Sequence, residues 1–211
     1  MIALCRFHHD QADNGAFTKE QLHAMKNDRH SQSLIIQGEF NWLRRGLLGV
    51  LGGNFYYETN LLFMIDDTPI IWFSQDGDGY FRLNLRSRFV ALEDNDWIAT
   101  GAPLDFECPP SGKLIHAKYA SGDELRIEFV EINDRESLTN RHPHARNSYL
   151  PHSWFPTTAV EIEWRLGGTS IWFGPDSAHL PNFFMSGAVS HADGCGIRIR
   201  GDRISVGSSA R

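Results

Sequence analysis

Cys5, His8, His9, Asp10 and Asp13 crowd a thiol, two adjacent imidazoles and two carboxylates into the opening of the chain. In the spacing Cys-x-x-His-His, the sulfur of Cys5 and the ring of His8 are soft and borderline ligands, close enough in sequence to share one cation. His9 points elsewhere and could face a second, reactive metal. Cys5, His8 and His9 are therefore the candidate metal ligands. Two donors do not close a tetrahedron, so a zinc ion at Cys5 and His8 needs a complementary pair.

Elsewhere the residues able to do chemistry read as ordinary structure. His142, His144 and His152 lie among Pro143, Pro151 and Pro156 in a polar stretch over residues 133–158. An H-x-H pair with a third His can bind zinc or copper, but no Cys or acidic ligand sits at fixed spacing, and the stretch reads as a long surface loop. Asp76-Gly77-Asp78-Gly79 misses the EF-hand pattern, because Tyr80, Phe81 and Ser87 occupy the places of an oxygen ligand, the glycine and the closing acid. A plain turn is expected there. Cys108 and Cys195 have no motif that sets a His beside them. Arg44 with Arg45, Arg82 with Arg86 and Arg88, and Arg198 with Arg200 and Arg203 form basic patches, read as solvated partners of Asp and Glu.

Residues 2–15, Ile-Ala-Leu-Cys-x-x-His-His-x-x-x-Asp-x-Gly, followed by Phe17-Thr18-Lys19-Glu20-Gln21-Leu22, resemble the closing segment of an HNH endonuclease core. The resemblance implies a β-hairpin and helix wrapped round a catalytic divalent cation, magnesium or zinc, with a structural zinc held by two Cys/His pairs. Cys5 and His8 match the second zinc-binding pair, and His9 matches the last His, a ligand of the catalytic metal. The implied activity is metal-dependent hydrolysis of DNA phosphodiesters, with DNA as partner. The family's Asn, general-base His and first Cys pair would fall before Met1. One-metal hydrolysis needs a base to activate water, so no catalytic residue is assigned, and cleavage by this chain is expected to be weak or absent. The alternative is a non-enzymatic β-rich module for binding or assembly.

The elements that must carry these residues divide the chain in two. Thr18 and Gln21 have the spacing of a capping box, Phe17 and Leu22 that of a hydrophobic staple, and Leu22 and Met25 share one helical face. A short helix therefore closes an N-terminal unit, the HNH-like remnant over residues 1–30, and a polar linker over residues 27–33 leads into a β-rich domain over residues 31–211. The chain is 41% hydrophobic with 19 Gly and 9 Pro, as turn-rich β structure requires. Its net charge of −6 repels a polyphosphate, so any nucleic-acid contact must be local. Three scattered cysteines, no apolar run near the ~20 residues of a membrane span and no leader-like start point to a reducing cytoplasm and no membrane.

From about residue 34 short apolar runs alternate with Gly, Asp-Gly and Pro-Pro signals. Strands are expected at 54–58, 61–65, 89–92, 113–119 and 124–132. Hairpins are expected at 70–75 with 80–85, at 160–166 with 169–173, and at 196–200 with 203–206. In 124–132, Leu125, Ile127 and Phe129 share one face. Trp42, Trp72, Trp97, Trp154, Trp164 and Trp172 are available as contact anchors, most of them better placed in a core. The fold class is mainly β with a short N-terminal helical segment. A sandwich-like domain is expected, with a barrel or β-solenoid as alternatives.

Overall fold

The short apolar runs between turn signals do form strands. The structure, a computed structural model, describes residues 35–40, 44–109, 111–192, 194–201 and 203–207. Cys5, His8, His9, Trp42 and the segment expected to form a capped helix lie outside the described residues. In chain order the strands are β1 (Ile35–Glu39), β2 (Leu48–Leu51), β3 (Asn54–Tyr57), β4 (Leu61–Ile65), β5 (Thr68–Gln75), β6 (Phe81–Arg86), β7 (Val90–Glu93), β8 (Asp96–Thr100), β9 (Asp105–Glu107), β10 (Leu114–Lys118) and β11 (Glu124–Ile132). After helix α1 (Arg135–Arg141) come β12 (Thr157–Arg165), β13 (Trp172–Phe173), β14 (Ala178–Leu180), β15 (Phe183–Met185), β16 (Val189–His191), β17 (Ile197–Arg200) and β18 (Arg203–Val206).

Two sheets result. The first runs β1-β8-β7-β6-β5-β4-β17-β18, and the second runs β15-β14-β13-β12-β11-β10-β9 with β2, β3 and β16 attached through β12. Neighbours joined by short turns pair antiparallel, whereas β12 with β2, β3 with β16 and β4 with β17 pair parallel. Neither sheet closes on itself among the described residues, so the domain is sandwich-like rather than a barrel.

The inner faces meet in one core. Phe63, Ile71, Leu83, Leu85 and Ile197 from the first sheet bury against Ile115, Leu125, Ile127, Val160, Ile162, Trp164 and Phe173 from the second. The Phe63 ring meets Phe173 edge-on at 5.1 Å, one of the favoured aromatic geometries. The expected hairpins form, and β11 has the expected bounds and inward face. Asp76 shapes the β5–β6 turn as read from the sequence. Its Oδ1 accepts the backbone N–H groups of Asp78 and Tyr80 at 3.0 and 2.9 Å, and its Oδ2 takes Arg82 at 2.9 Å.

Residues 133–158 are not the expected surface loop. They carry α1 and two 3-10 turns, Pro143–Asn147 and His152–Trp154, laid over the outer face of the second sheet. Asp134 caps α1 by accepting the Ser137 N–H at 2.7 Å. Leu138, Ala145, Leu150 and Trp154 then bury against Leu48, Val50, Phe55 and Ala159 in a second core. That covering layer explains why β2, a four-residue strand, is buried on both faces.

Candidate functional site

The covering layer stops partway across the sheet, and a cleft of about 400 Å³ opens at its margin. Alternation along β11 and β12 puts Glu124, Arg126 and Glu128 on the outer face, opposite Arg165, Glu163 and Glu161. Glu161 and Glu163 form the floor with Arg126. Arg141, at the end of α1, and His142 and His144, in the turn after it, form one wall, and Gly174, Pro175 and Asp176 of the β13–β14 turn form the other.

Glu161 anchors the wall. Its carboxylate accepts two hydrogen bonds from Arg141, at 2.6 and 2.8 Å, and one from His142 Nε2 at 2.9 Å. Burial by itself raises a carboxyl; the bonds from His142 and Arg141 outweigh it and hold Glu161 at about 2. Arg141 also reaches Glu128 at 2.9 Å, and Arg126 meets Glu128 at 2.6 Å. Glu163 differs. It accepts no hydrogen bond among the described residues and has Arg126 at 3.5 Å. Burial pushes its carboxyl up against the pull of Arg126, and Glu161 and Glu124 push the same way.

The two histidines are held differently. His144 Nε2 bonds the Gly53 carbonyl at 3.0 Å, and since a carbonyl only accepts, Nε2 carries the proton. Burial lowers the His144 pKa, and His142, 5.6 Å away between ring centroids, adds to the fall. Gly53 must be glycine here. Its φ is +65°, and a Cβ would fall 2.1 Å from the carbonyl carbon of Asp176.

Beside the cleft an aromatic row crosses the same face. Trp172, His179 and Phe184 are cross-strand neighbours in β13, β14 and β15. The indole stacks on His179 at 4.7 Å, and His179 meets Phe184 edge-on at 5.0 Å. Trp172 is 42% exposed and Phe184 61%, which is unusual for such large rings. Trp172 lies across Gly174, where a Cβ would be 2.7 Å from the ring, so the cleft wall and the aromatic row share one hairpin.

Comparison with protein-family models, with curated proteins and with solved structures finds no match for this chain.

Of the residues singled out in the sequence, His142 and His144 come together at the cleft, whereas His152 heads the second 3-10 turn and is exposed. No group of three or more metal-binding side chains forms among the described residues. Cys108 is exposed, and Cys195 is half-buried with its thiol donating to the Ile197 carbonyl. Arginines of each basic patch meet acids: Arg44 pairs with Glu131, Arg82 with Asp76, Arg88 with Asp123 and Arg200 with Asp67. Trp97, Trp154 and Trp164 are core residues, Trp72 is half-buried and Trp172 is exposed. Glu161, Glu163, Arg126, Arg141 and Asp176 are not distinguished in the sequence. The available signal is the alternation of charge in β11 and β12, which also fits any solvated strand face. No helix among the described residues is long and apolar enough to cross a membrane.

Proposed function

We propose that residues 35–207 act as a non-enzymatic binding module, and that its binding surface is the uncovered outer face of the second sheet. The carrying observation is the junction of a cleft lined by charged side chains with the exposed Trp172 row on a single hairpin. Ligand sites are concave and combine apolar surface with a few placed polar groups, and exposed aromatics supply contact area at small entropic cost. The hydrogen bonds on Glu161 favour a positioning role over proton transfer, since its anion is already engaged by Arg141 and His142.

The test is amide and indole N–H NMR mapping of the full chain against a panel of peptides, nucleotides and oligosaccharides. Shifts are expected to be confined to Arg126, His144, Glu163, Asp176 and the Trp172 indole. Shifts centred on the first sheet, or turnover of a ligand that Glu161→Gln abolishes, overturn it.

For the N-terminal segment the proposal is HNH-endonuclease ancestry, resting on the motif that contains Cys5, His8 and His9. Zinc in the purified chain that is lost in Cys5→Ser and His8→Ala supports it. An absence of bound metal in the unaltered chain removes the metal-binding part of the proposal.

A further inference from the structure

We infer that the outer face of the second sheet receives a basic peptide segment: an arginine or lysine side chain enters the cleft toward the carboxylates of Glu163 and Asp176, and a neighbouring apolar side chain lies on the Trp172–His179–Phe184 row. This rests on the reading of that face as the binding surface and names its ligand.

Charge selects the ligand class. Two arginines and three carboxylates line the cleft. The arginines are committed, Arg141 to Glu161 and Glu128 and Arg126 to Glu128, at 2.6 to 2.9 Å, and Arg126 reaches Glu163 only as a longer ion pair at 3.5 Å. Glu163 and Asp176 accept no hydrogen bond on their carboxylates among the described residues, so each retains acceptor capacity. A half-buried carboxylate that its surroundings disfavour as an anion gains most from an arriving cation. A phosphate meets the opposite situation, since an excess of negative charge faces it and the guanidinium groups are already occupied. Glu163 stands on the floor of the cleft and Asp176 on its wall, so an entering cation meets one carboxylate below and one beside it.

The row beside it supports a peptide over an isolated cation. Trp172 is held over Gly174 and against His179 before any ligand arrives, which reduces the ordering cost of binding. Its π face attracts apolar side chains and cations alike. Arg165, which faces Trp172 across the ladder, has no ion pair among the described residues and can donate to a peptide carbonyl. The chain's net charge of −6 steers a basic segment toward the protein.

The experiment is fluorescence anisotropy of the full chain with a fluorescein-labelled peptide carrying arginines and a tyrosine. Its counterparts with glutamine and with glutamate in place of arginine serve as comparisons. The arginine peptide is expected to bind tightest and to weaken with added salt, and Glu163→Gln, Asp176→Asn and Trp172→Ala each to lower affinity about tenfold. Circular dichroism confirms that each variant is folded, and the salt titration of the unaltered chain tests the charge term without any substitution. Equal binding of the arginine and glutamate peptides, or unchanged affinity in Glu163→Gln and Asp176→Asn, overturns the inference. If a neutral or acidic ligand still shifts the Trp172 indole in NMR, the binding face stands and only the basic ligand is lost. If no ligand perturbs that face, both readings fall.

Discussion

Replacing Glu161 by Gln removes the charge on which the covering layer is fastened. The residue is 7% exposed, and its carboxyl falls from the ordinary 4.5 to about 2. That difference corresponds to about 3 kcal/mol of stability at neutral pH. The sign follows from proton binding. The folded state is the stronger acid at this site, so the unfolded chain takes up the extra proton first as pH falls. The contribution is complete above 4.5 and disappears as pH drops toward 2. Glu161→Gln is expected to cost roughly 3 kcal/mol at neutral pH, because Arg141 and His142 lose their charged acceptor, and to lower the melting temperature by about 6–12 °C. Urea unfolding followed by tryptophan fluorescence at about pH 7 and about pH 3 measures both terms. The gap between the unaltered chain and the variant should narrow markedly in acid. A gap as wide at the acid pH as at the neutral one, or a neutral-pH loss under about 1 kcal/mol, refutes the assignment of Glu161 as the electrostatic anchor.

Three further outcomes are expected. Leu138→Ala should destabilise the domain by about 2–4 kcal/mol, since Leu138 is fully buried in the second core; a loss within the range of a surface substitution, about 0.5 kcal/mol, would return residues 133–158 to the status of a loop. Gly53→Ala should cost at least about 2 kcal/mol and shift the NMR signals of Pro175–Ser177 neighbours, because φ is +65° and the new Cβ collides with Asp176 backbone; an unperturbed β13–β14 turn contradicts that contact. His144 should titrate below 6.5 with its Nε2 proton slow to exchange, and its contribution to stability should fall as pH drops through 6.5, since the unfolded chain then binds the proton more readily. A midpoint at or above 6.5 in a histidine NMR titration refutes it.

Local pattern and tertiary context divide the site unevenly. His142 and His144 stand out in the sequence because of their type, and the geometry then assigns them to Glu161 and the Gly53 carbonyl. Glu161 and Glu163 do not stand out, because alternate acids on a strand look the same whether they face water or a cleft. What distinguishes them is α1 packing beside β11 so that Arg141 reaches Glu161 at the cleft, and α1 has little signal of its own: Leu138 is its single buried side chain, too few to show a helical period. Its stability comes from packing against residues far away in the chain, as is usual for so short a helix.

Features that depend on neighbours along the chain are legible in the residues alone: the alternating face of β11, the Asp76 turn, the antiparallel hairpins and the mainly β class. The pairings that span the chain are fixed only by long-range packing. β2 lies parallel to β12, β3 to β16 and β4 to β17, each joining segments more than 100 residues apart. Such registers depend on which apolar faces fit together once both sheets exist, and a period-two pattern is compatible with many partners. The cleft inherits that dependence. Val50 from β2, Glu161 and Glu163 from β12, and Asp176 after β13 become neighbours only because the sheet is assembled in this order.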